Sequence, residues 1–181
     1  MCLKVSPVRN YRTTGKNEGV SNGMSRNNRD LASGRNYVWR LLKFRQRSES
    51  EIRDKLKARK YDAQIIAGLV TYFKDSGDIN DREFARAWID ERCLRPMGLK
   101  QIRLELKQKG VDEEIIKELL SEKKRTLNEA EIVQELVSKR FDKLKEKKGH
   151  LQRTKARIYG YLVRRGFSGG VVYEAVEKTV A

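Results

Sequence analysis

Residues Gly98–Leu120 read GLKQIRLELKQKGVDEEIIKELL, and this pattern occurs three times in the chain. A shift of 50 residues toward the N-terminus aligns it with Ser48–Val70, and a shift of 56 toward the C-terminus aligns it with Thr154–Val176. The apolar columns shared by all three copies are Ile52, Ile102 and Ile158; Leu56, Leu106 and Leu162; Tyr61, Val111 and Phe167; Ile65, Ile115 and Val171; Ile66, Ile116 and Val172. A repeat of this length indicates an array of similar modules.

Each copy divides at a turn into two helices, and one further helix precedes each copy. Before the first copy, Tyr37, Leu41 and Phe44 have the spacing of an amphipathic helix. The sequence therefore predicts an all-α protein of three tandem three-helix modules, similar to helix-turn-helix units, that form an elongated curved array. The predicted modules are residues 36–79, 80–126 and 127–181.

Polar residues mark the start of the second helix in each module. Ser48 with Glu51 predicts a capping box, in which each side chain bonds the backbone N–H of the other residue. Thr154 is the predicted N-cap in the third copy, and Gly98 is a weaker cap in the second.

The turn after this helix contains glycine in two of the three copies, Gly110 and Gly166. Helices commonly end at a residue with positive φ, which glycine adopts without steric cost. Lys60 stands in the same column of the first copy, so we expect the first turn to be strained or differently shaped.

Two segments lie outside the repeat. Residues 1–35 are rich in Asn, Arg, Gly and Ser and predict a basic, disordered tail, although a true start at Met24 is an equal alternative. A basic connection, Lys143–Gly149, is followed by the only histidine, His150, which we expect to be exposed in a loop.

The net charge of +16 and the pI near 10 favour a polyanionic partner: nucleic acid, an anionic membrane or an acidic protein groove. No apolar run approaches the roughly 20 residues of a membrane span, so we expect no membrane association. Cys2 and Cys93 are too few for a disulfide framework, which indicates a reducing cytoplasm.

No catalytic constellation stands out in the sequence. Cys93 has no histidine nearby, and cysteine and histidine are too scattered for a zinc site. Acidic pairs such as Glu113 and Glu114 fall at helix starts, where they compensate the helix dipole. With no Walker-type phosphate loop, the sequence predicts a protein that is not an enzyme and needs neither cofactor nor metal.

Basic side chains recur at fixed columns of the repeat, and they are the candidates for contact with a polyanion. Three share the column before each turn, and two others recur at i and i+4 on one helix face. The full candidate set is Arg53, Lys57, Arg59, Arg103, Lys107, Lys109, Arg157, Tyr159, Arg164 and Arg165. Of the aromatic residues that could stack on bases, Tyr159 is expected to be exposed and Trp88 to lie in the core, with Trp39 also available.

Four motifs in order resemble the RecX family. They are Arg47-Ser48-x-x-Glu51-Ile52-x-x-Lys55-Leu56, Gly77-Asp78-Ile79-Asn80-Asp81-Arg82-Glu83-Phe84-Ala85, Gly98-x-x-x-Ile102-x-x-Glu105-Leu106-x-x-Lys109-Gly110-Val111 and Leu162-x-x-Arg165-Gly166-Phe167. The resemblance runs from about Asn36 to the C-terminus. Lys60 departs from the glycine of the pattern, and the N-terminal tail lies outside it.

The resemblance implies a cytoplasmic bacterial regulator of homologous recombination, DNA repair and the SOS response. It implies three tandem three-helix modules that lie, as a monomer, along the groove of the RecA recombinase filament on single-stranded DNA. There the protein would modulate, mainly inhibit, the RecA ATPase and strand exchange. A general nucleic-acid-binding helical protein that acts without RecA is the alternative, and a small nuclease is a third hypothesis that the lack of clustered carboxylates disfavours.

Overall fold

A computed structural model describes residues 30–145 and 151–180. These residues form nine α-helices and no strand. The helices are α1 (Leu31–Phe44), α2 (Glu49–Ala58), α3 (Ala63–Asp75), α4 (Asp81–Cys93), α5 (Leu99–Gln108), α6 (Glu113–Thr126), α7 (Glu129–Lys145), α8 (Leu151–Arg164) and α9 (Gly169–Val180). The predicted all-α class is confirmed. None of the helices in these ranges is long and apolar enough to cross a lipid bilayer.

The helices pack in threes around three separate hydrophobic cores: α1–α3 (module 1), α4–α6 (module 2) and α7–α9 (module 3). The repeated columns are buried alike. Ile52, Ile102 and Ile158 are all fully buried, and so are the three aligned leucines. Because aligned residues occupy equivalent places in separate cores, the repeat in the sequence is a repeat in the structure.

The first helix begins earlier than the sequence predicts. Asp30 caps α1 by accepting a hydrogen bond from the backbone N–H of Ser33, so the predicted tail is wrong for residues 31–35. Gly34 is buried because its missing side chain lets α1 approach Leu69 of α3. The predicted tail at residues 1–29 lies outside the described residues.

Two predicted features of module 3 are also wrong. Helix α8 begins at Leu151, so Thr154 lies one turn inside the helix and is not an N-cap. The predicted connection at residues 143–149 begins as helix, since α7 continues to Lys145. His150 lies outside the described residues.

The capping box at the start of α2 is only half formed. Ser48 accepts a hydrogen bond from the backbone N–H of Glu51, as predicted. The Glu51 carboxylate does not reach back to Ser48 but binds Arg45 and Lys109. That side chain serves a contact between modules, which a local motif does not reveal.

The three turns have one shape. Lys60, Gly110 and Gly166 all adopt positive φ, at 60°, 71° and 86°. In each turn the next residue donates its N–H to the carbonyl five positions earlier, as from Tyr61 to Leu56 and from Val111 to Leu106. Lys60 is therefore strained, as predicted, but its turn is not differently shaped.

The modules join by docking this turn on the preceding module. The turn of module 2 sits on the start of α2, where the Ser48 hydroxyl donates to the Lys109 carbonyl. The turn of module 3 sits on the start of α5, where the N–H of Gly98 donates to the Arg165 carbonyl over 2.9 Å. Carbonyls thus meet the positive, hydrogen-bond-donating end of a helix. We call these two contacts the module junctions.

Both junctions require the turn to contain glycine. A Cβ on Gly110 would overlap the side chain of Ser50, and a Cβ on Gly166 would overlap the backbone of Gln101. The turn at Lys60 has no module before it in the described chain, and the Lys60 side chain is exposed.

Candidate binding surfaces

The common shape of the turns places two of the three candidates in this column, Lys109 and Arg165, in the module junctions rather than on one open face. Lys109 is an ion-pair partner of Glu51 in module 1, at 2.7 Å, and its ammonium group lies 5.1 Å from the ring centroid of Trp88. Arg165 donates to the Pro96 carbonyl of module 2. Their first role in the structure is to hold neighbouring modules together.

Arg59 belongs to the same column, but no module precedes its turn in the described residues. Its guanidinium lies 4.0 Å from the ring centroid of Tyr37 within module 1, and its side chain is exposed. It is thus the member of this column that remains open to a partner.

The Glu51 carboxylate is the electrostatic centre of the first junction. Burial alone would raise the pKa of Glu51, but hydrogen bonds from Arg45 and Lys109 outweigh burial and hold this pKa at about 2. The carboxylate is therefore ionised at neutral pH, and it binds one cation from its own module and one from the next.

The recurrent charges on α2 and α5 are largely neutralised by neighbouring carboxylates. Arg53 pairs with Glu49 at 2.8 Å, and both Arg103 and Lys107 pair with Glu113. The hydrogen bonds from Lys107 and Arg103 lower the pKa of Glu113. Lys57, another candidate, is exposed on α2.

Module 3 does not repeat these charges. The columns of Arg53 and Lys57 hold Tyr159 and Val163 in α8, both 39% exposed. The predicted exposure of Tyr159 is confirmed, and its hydroxyl lies close to Gly169. The basic columns of modules 1 and 2 therefore do not form a continuous ribbon along the whole array.

The candidates Arg157 and Arg164 instead line a cleft of about 420 Å³ between α7 and α8, which we call the module 3 cleft. Its complete lining is Arg140, Leu144, Ala156, Arg157, Gly160, Tyr161 and Arg164. The guanidinium of Arg140 lies 3.6 Å from the ring centroid of Tyr161. Among the described residues, no carboxylate oxygen lies within 4 Å of a guanidinium in this cleft.

Trp88 and Trp39 take different positions. Trp88 packs against the module 2 core, as predicted, and donates its indole N–H to Glu105, which also binds Arg92. Trp39 is 39% exposed and packs edge-on against Phe73. The Trp39 ring is therefore partly accessible to a ligand, whereas the Trp88 ring is used in packing and hydrogen bonding within module 2.

The described residues hold no cluster of three or more histidine, cysteine, aspartate or glutamate side chains that could bind a metal ion. Burial raises the pKa of the Cys93 thiol, so this thiol stays protonated at neutral pH and is a poor nucleophile.

The sequence identified Ser48 and Glu51 only as a capping box and did not reveal their role in the first junction. It also gave no indication of the cleft residues Arg140, Gly160 and Tyr161. The glycines of the second and third turns were the available signal for the junctions. No single stretch of sequence indicates the cleft, because Arg140 and Leu144 come from α7 and the other lining residues from α8.

Comparison with known proteins identifies the family of this arrangement. Models of the first, second and third three-helix domains of RecX match residues 35–73, 80–120 and 128–176. The regulatory protein RecX of Clostridium beijerinckii is 29% identical over 160 residues, which cover 84% of this chain and 74% of the relative. That of Mycobacterium sp. strain KMS is 32% identical over 147 residues, 80% of each chain.

Solved structures have the same fold. The crystal structure of RecX from Lactobacillus salivarius superposes with a TM-score of 0.71 at 22% identity, covering 82% of this chain and 96% of that one. The three family models in order and the similarity over most of the length agree. The chain belongs to the RecX family of regulatory proteins.

Proposed function

We propose that this protein regulates the RecA recombinase by lying along the groove of RecA filaments on single-stranded DNA. In this role it modulates, and mainly inhibits, ATP hydrolysis and strand exchange by RecA during recombination and DNA repair. It acts in the cytoplasm as a monomer and catalyses no step itself.

The observation that carries the proposal is the complete set of three RecX domains in their family order. An array joined end to end through two equivalent junctions suits a partner that also repeats along an axis. The net charge of +16 suits a filament that contains DNA.

The proposal is tested by co-sedimentation of the protein with three partners: RecA filaments on single-stranded DNA, RecA alone and naked single-stranded DNA. We expect much stronger binding to the filament than to either component. Equal retention by naked DNA and by the filament would favour the alternative, a general nucleic-acid-binding protein that acts without RecA.

The open basic residues of module 1 supply a variant for the same assay. Replacing Lys57 and Arg59 by Gln leaves both junctions untouched, and we expect weaker filament binding with an unchanged circular dichroism spectrum. The matched control replaces Arg82 and Arg86, which are paired with Glu118 and Glu83 on module 2. If the two double variants bind equally well, these module 1 residues take no part in the contact.

A further inference from the structure

We propose that the module 3 cleft is a binding site for single-stranded nucleic acid, in which phosphates contact Arg157 and Arg164 and a base stacks on Arg140. The choice of this strand rests on the proposed function. The binding itself requires no RecA, so the two proposals can fail separately.

The charges of the cleft are available to a ligand. Elsewhere in the described chain, Arg45, Arg53, Arg82, Arg92 and Arg103 each bind a carboxylate. The three arginines of the module 3 cleft have no such partner among the described residues, and all three line one space. Converging guanidinium groups repel one another until an anion neutralises them, so the cleft favours an anionic ligand.

Gly160 gives the ligand its room. It lies inside α8, where glycine carries a cost in helix stability relative to alanine. No packing contact requires this cost, because a Cβ on Gly160 would meet only the flexible tip of Arg164, at 3.2 Å. The glycine keeps the floor of the cleft open, as expected where a ligand approaches the backbone closely.

The spacing of the arginines selects a strand over a single small anion. Arg157 and Arg164 are seven residues apart on α8, so their Cα atoms lie about 10 Å apart along the helix axis, and the Arg164 guanidinium reaches back to Gly160. Guanidinium groups that start from different turns of one helix can contact successive phosphates of one backbone, whereas an isolated phosphate offers a single anionic group.

The stacked pair of Arg140 and Tyr161 selects nucleic acid over an acidic peptide. One face of the Arg140 guanidinium covers the Tyr161 ring, at 3.6 Å from the centroid, and its other face remains for a planar group. Unstacked bases pack on guanidinium planes in this way, whereas carboxylate side chains have no comparable flat surface. A duplex keeps its bases stacked, so the site suits a single strand.

Fluorescence anisotropy with a labelled oligomer of about 15 thymidines tests the site in the absence of RecA. Two variants attack it differently. Arg157→Gln with Arg164→Gln removes two phosphate contacts, and Gly160→Leu fills the cleft with the charge unchanged and with a better helix former. We expect each to raise Kd about tenfold or more, and the double variant to reduce the salt slope by about 1.4, or about 0.7 per phosphate.

The matched control is Arg82→Gln with Arg86→Gln, which removes the same charge from ion-paired positions on module 2, and its Kd should change less than about twofold. An equal loss in this control would show binding by net charge alone and would overturn the site. So would full binding by Gly160→Leu, cleft-dependent binding of duplex DNA as tight as that of the single strand, or displacement of the oligomer by polyglutamate at equal charge concentration.

Discussion

The turn at Lys60 and the turn at Gly110 have the same backbone shape but different surroundings. Both adopt positive φ, and both close with the same pair of backbone hydrogen bonds. The turn at Gly110 is pressed against Ser50 of the preceding module, whereas Lys60 has no module before it in the described chain. The backbone shape alone tolerates lysine at a modest cost, and glycine becomes necessary only where a second module docks.

The other end of the array differs from the junctions in a complementary way. Modules 1 and 2 receive a turn at the start of their second helix, at Ser48 and Gly98. In module 3 the corresponding residue, Thr154, is preceded by an additional turn of helix, because α8 begins at Leu151. Within the described residues, the repeat therefore departs from its pattern in the first and third modules, as is typical of the outer units of a repeat array.

The largest expected loss of stability is at Gly110, and a comparison with Gly77 separates the cost of steric overlap at the junction from the cost of backbone strain. Gly110→Ala combines a positive φ with a steric overlap, and we expect it to lower the free energy of unfolding by about 2–5 kcal/mol. Gly77→Ala is the control: Gly77 has φ of 77° and nothing within 4 Å of its Cβ position, so only the strain of about 1–2 kcal/mol applies. Chemical denaturation followed by circular dichroism measures both. Equal losses would show that the close approach at the junction is unimportant.

An intermediate effect is expected from the ion pair that crosses the first junction. Glu51→Gln leaves Arg45 and Lys109 without their shared carboxylate, and we expect a loss of about 1–3 kcal/mol at pH 7. The control Glu118→Gln removes an exposed pair with Arg82 and should lower stability far less than Glu51→Gln does, because solvent screens exposed ion pairs.

The same pair gives a prediction for pH. The pKa of Glu51 is lowered from 4.5 to about 2 in the folded protein, so its ionised form stabilises the fold above pH 4.5. That contribution is lost as the pH falls through 2. The difference in stability between wild type and Glu51→Gln should therefore shrink between pH 4.5 and pH 2, and a constant difference would contradict the role of the carboxylate.

The smallest effect is expected at the free turn. Lys60→Gly relieves a positive φ but makes the unfolded chain more flexible, so the net gain in stability should be below about 1 kcal/mol. Thermal unfolding measures the change: a large loss would show that the Lys60 side chain makes a stabilising contact of its own, and a large gain would show that the strain at this turn exceeds the modest cost given above.

Much of the fold is readable from the sequence, because each module has its own core. The isoleucine and leucine columns are buried alike, and three turns occur at the predicted residues. The start of α1 is not readable, since Ser33 and Gly34 look like loop residues until Leu69 is placed beside them. The start of α8 was equally hidden, because Thr154 is a good N-cap by residue type alone.

The candidate surface was harder to predict than the fold. A basic column such as Lys109 and Arg165 looks the same in sequence whether it faces a polyanion or the next module. Ion pairs between α5 and α6, such as Arg103 with Glu113, depend on the turn that brings the two helices together. The module 3 cleft requires Arg140 of α7 to lie beside α8, which no local pattern specifies.

The most direct test of the regulatory role is the rate of ATP hydrolysis by RecA on single-stranded DNA as this protein is added, at two salt concentrations. The account predicts that the rate falls to a plateau as the filament becomes covered, and that more protein is needed at the higher salt concentration. A hydrolysis rate that stays constant while the protein is bound to the filament would contradict it.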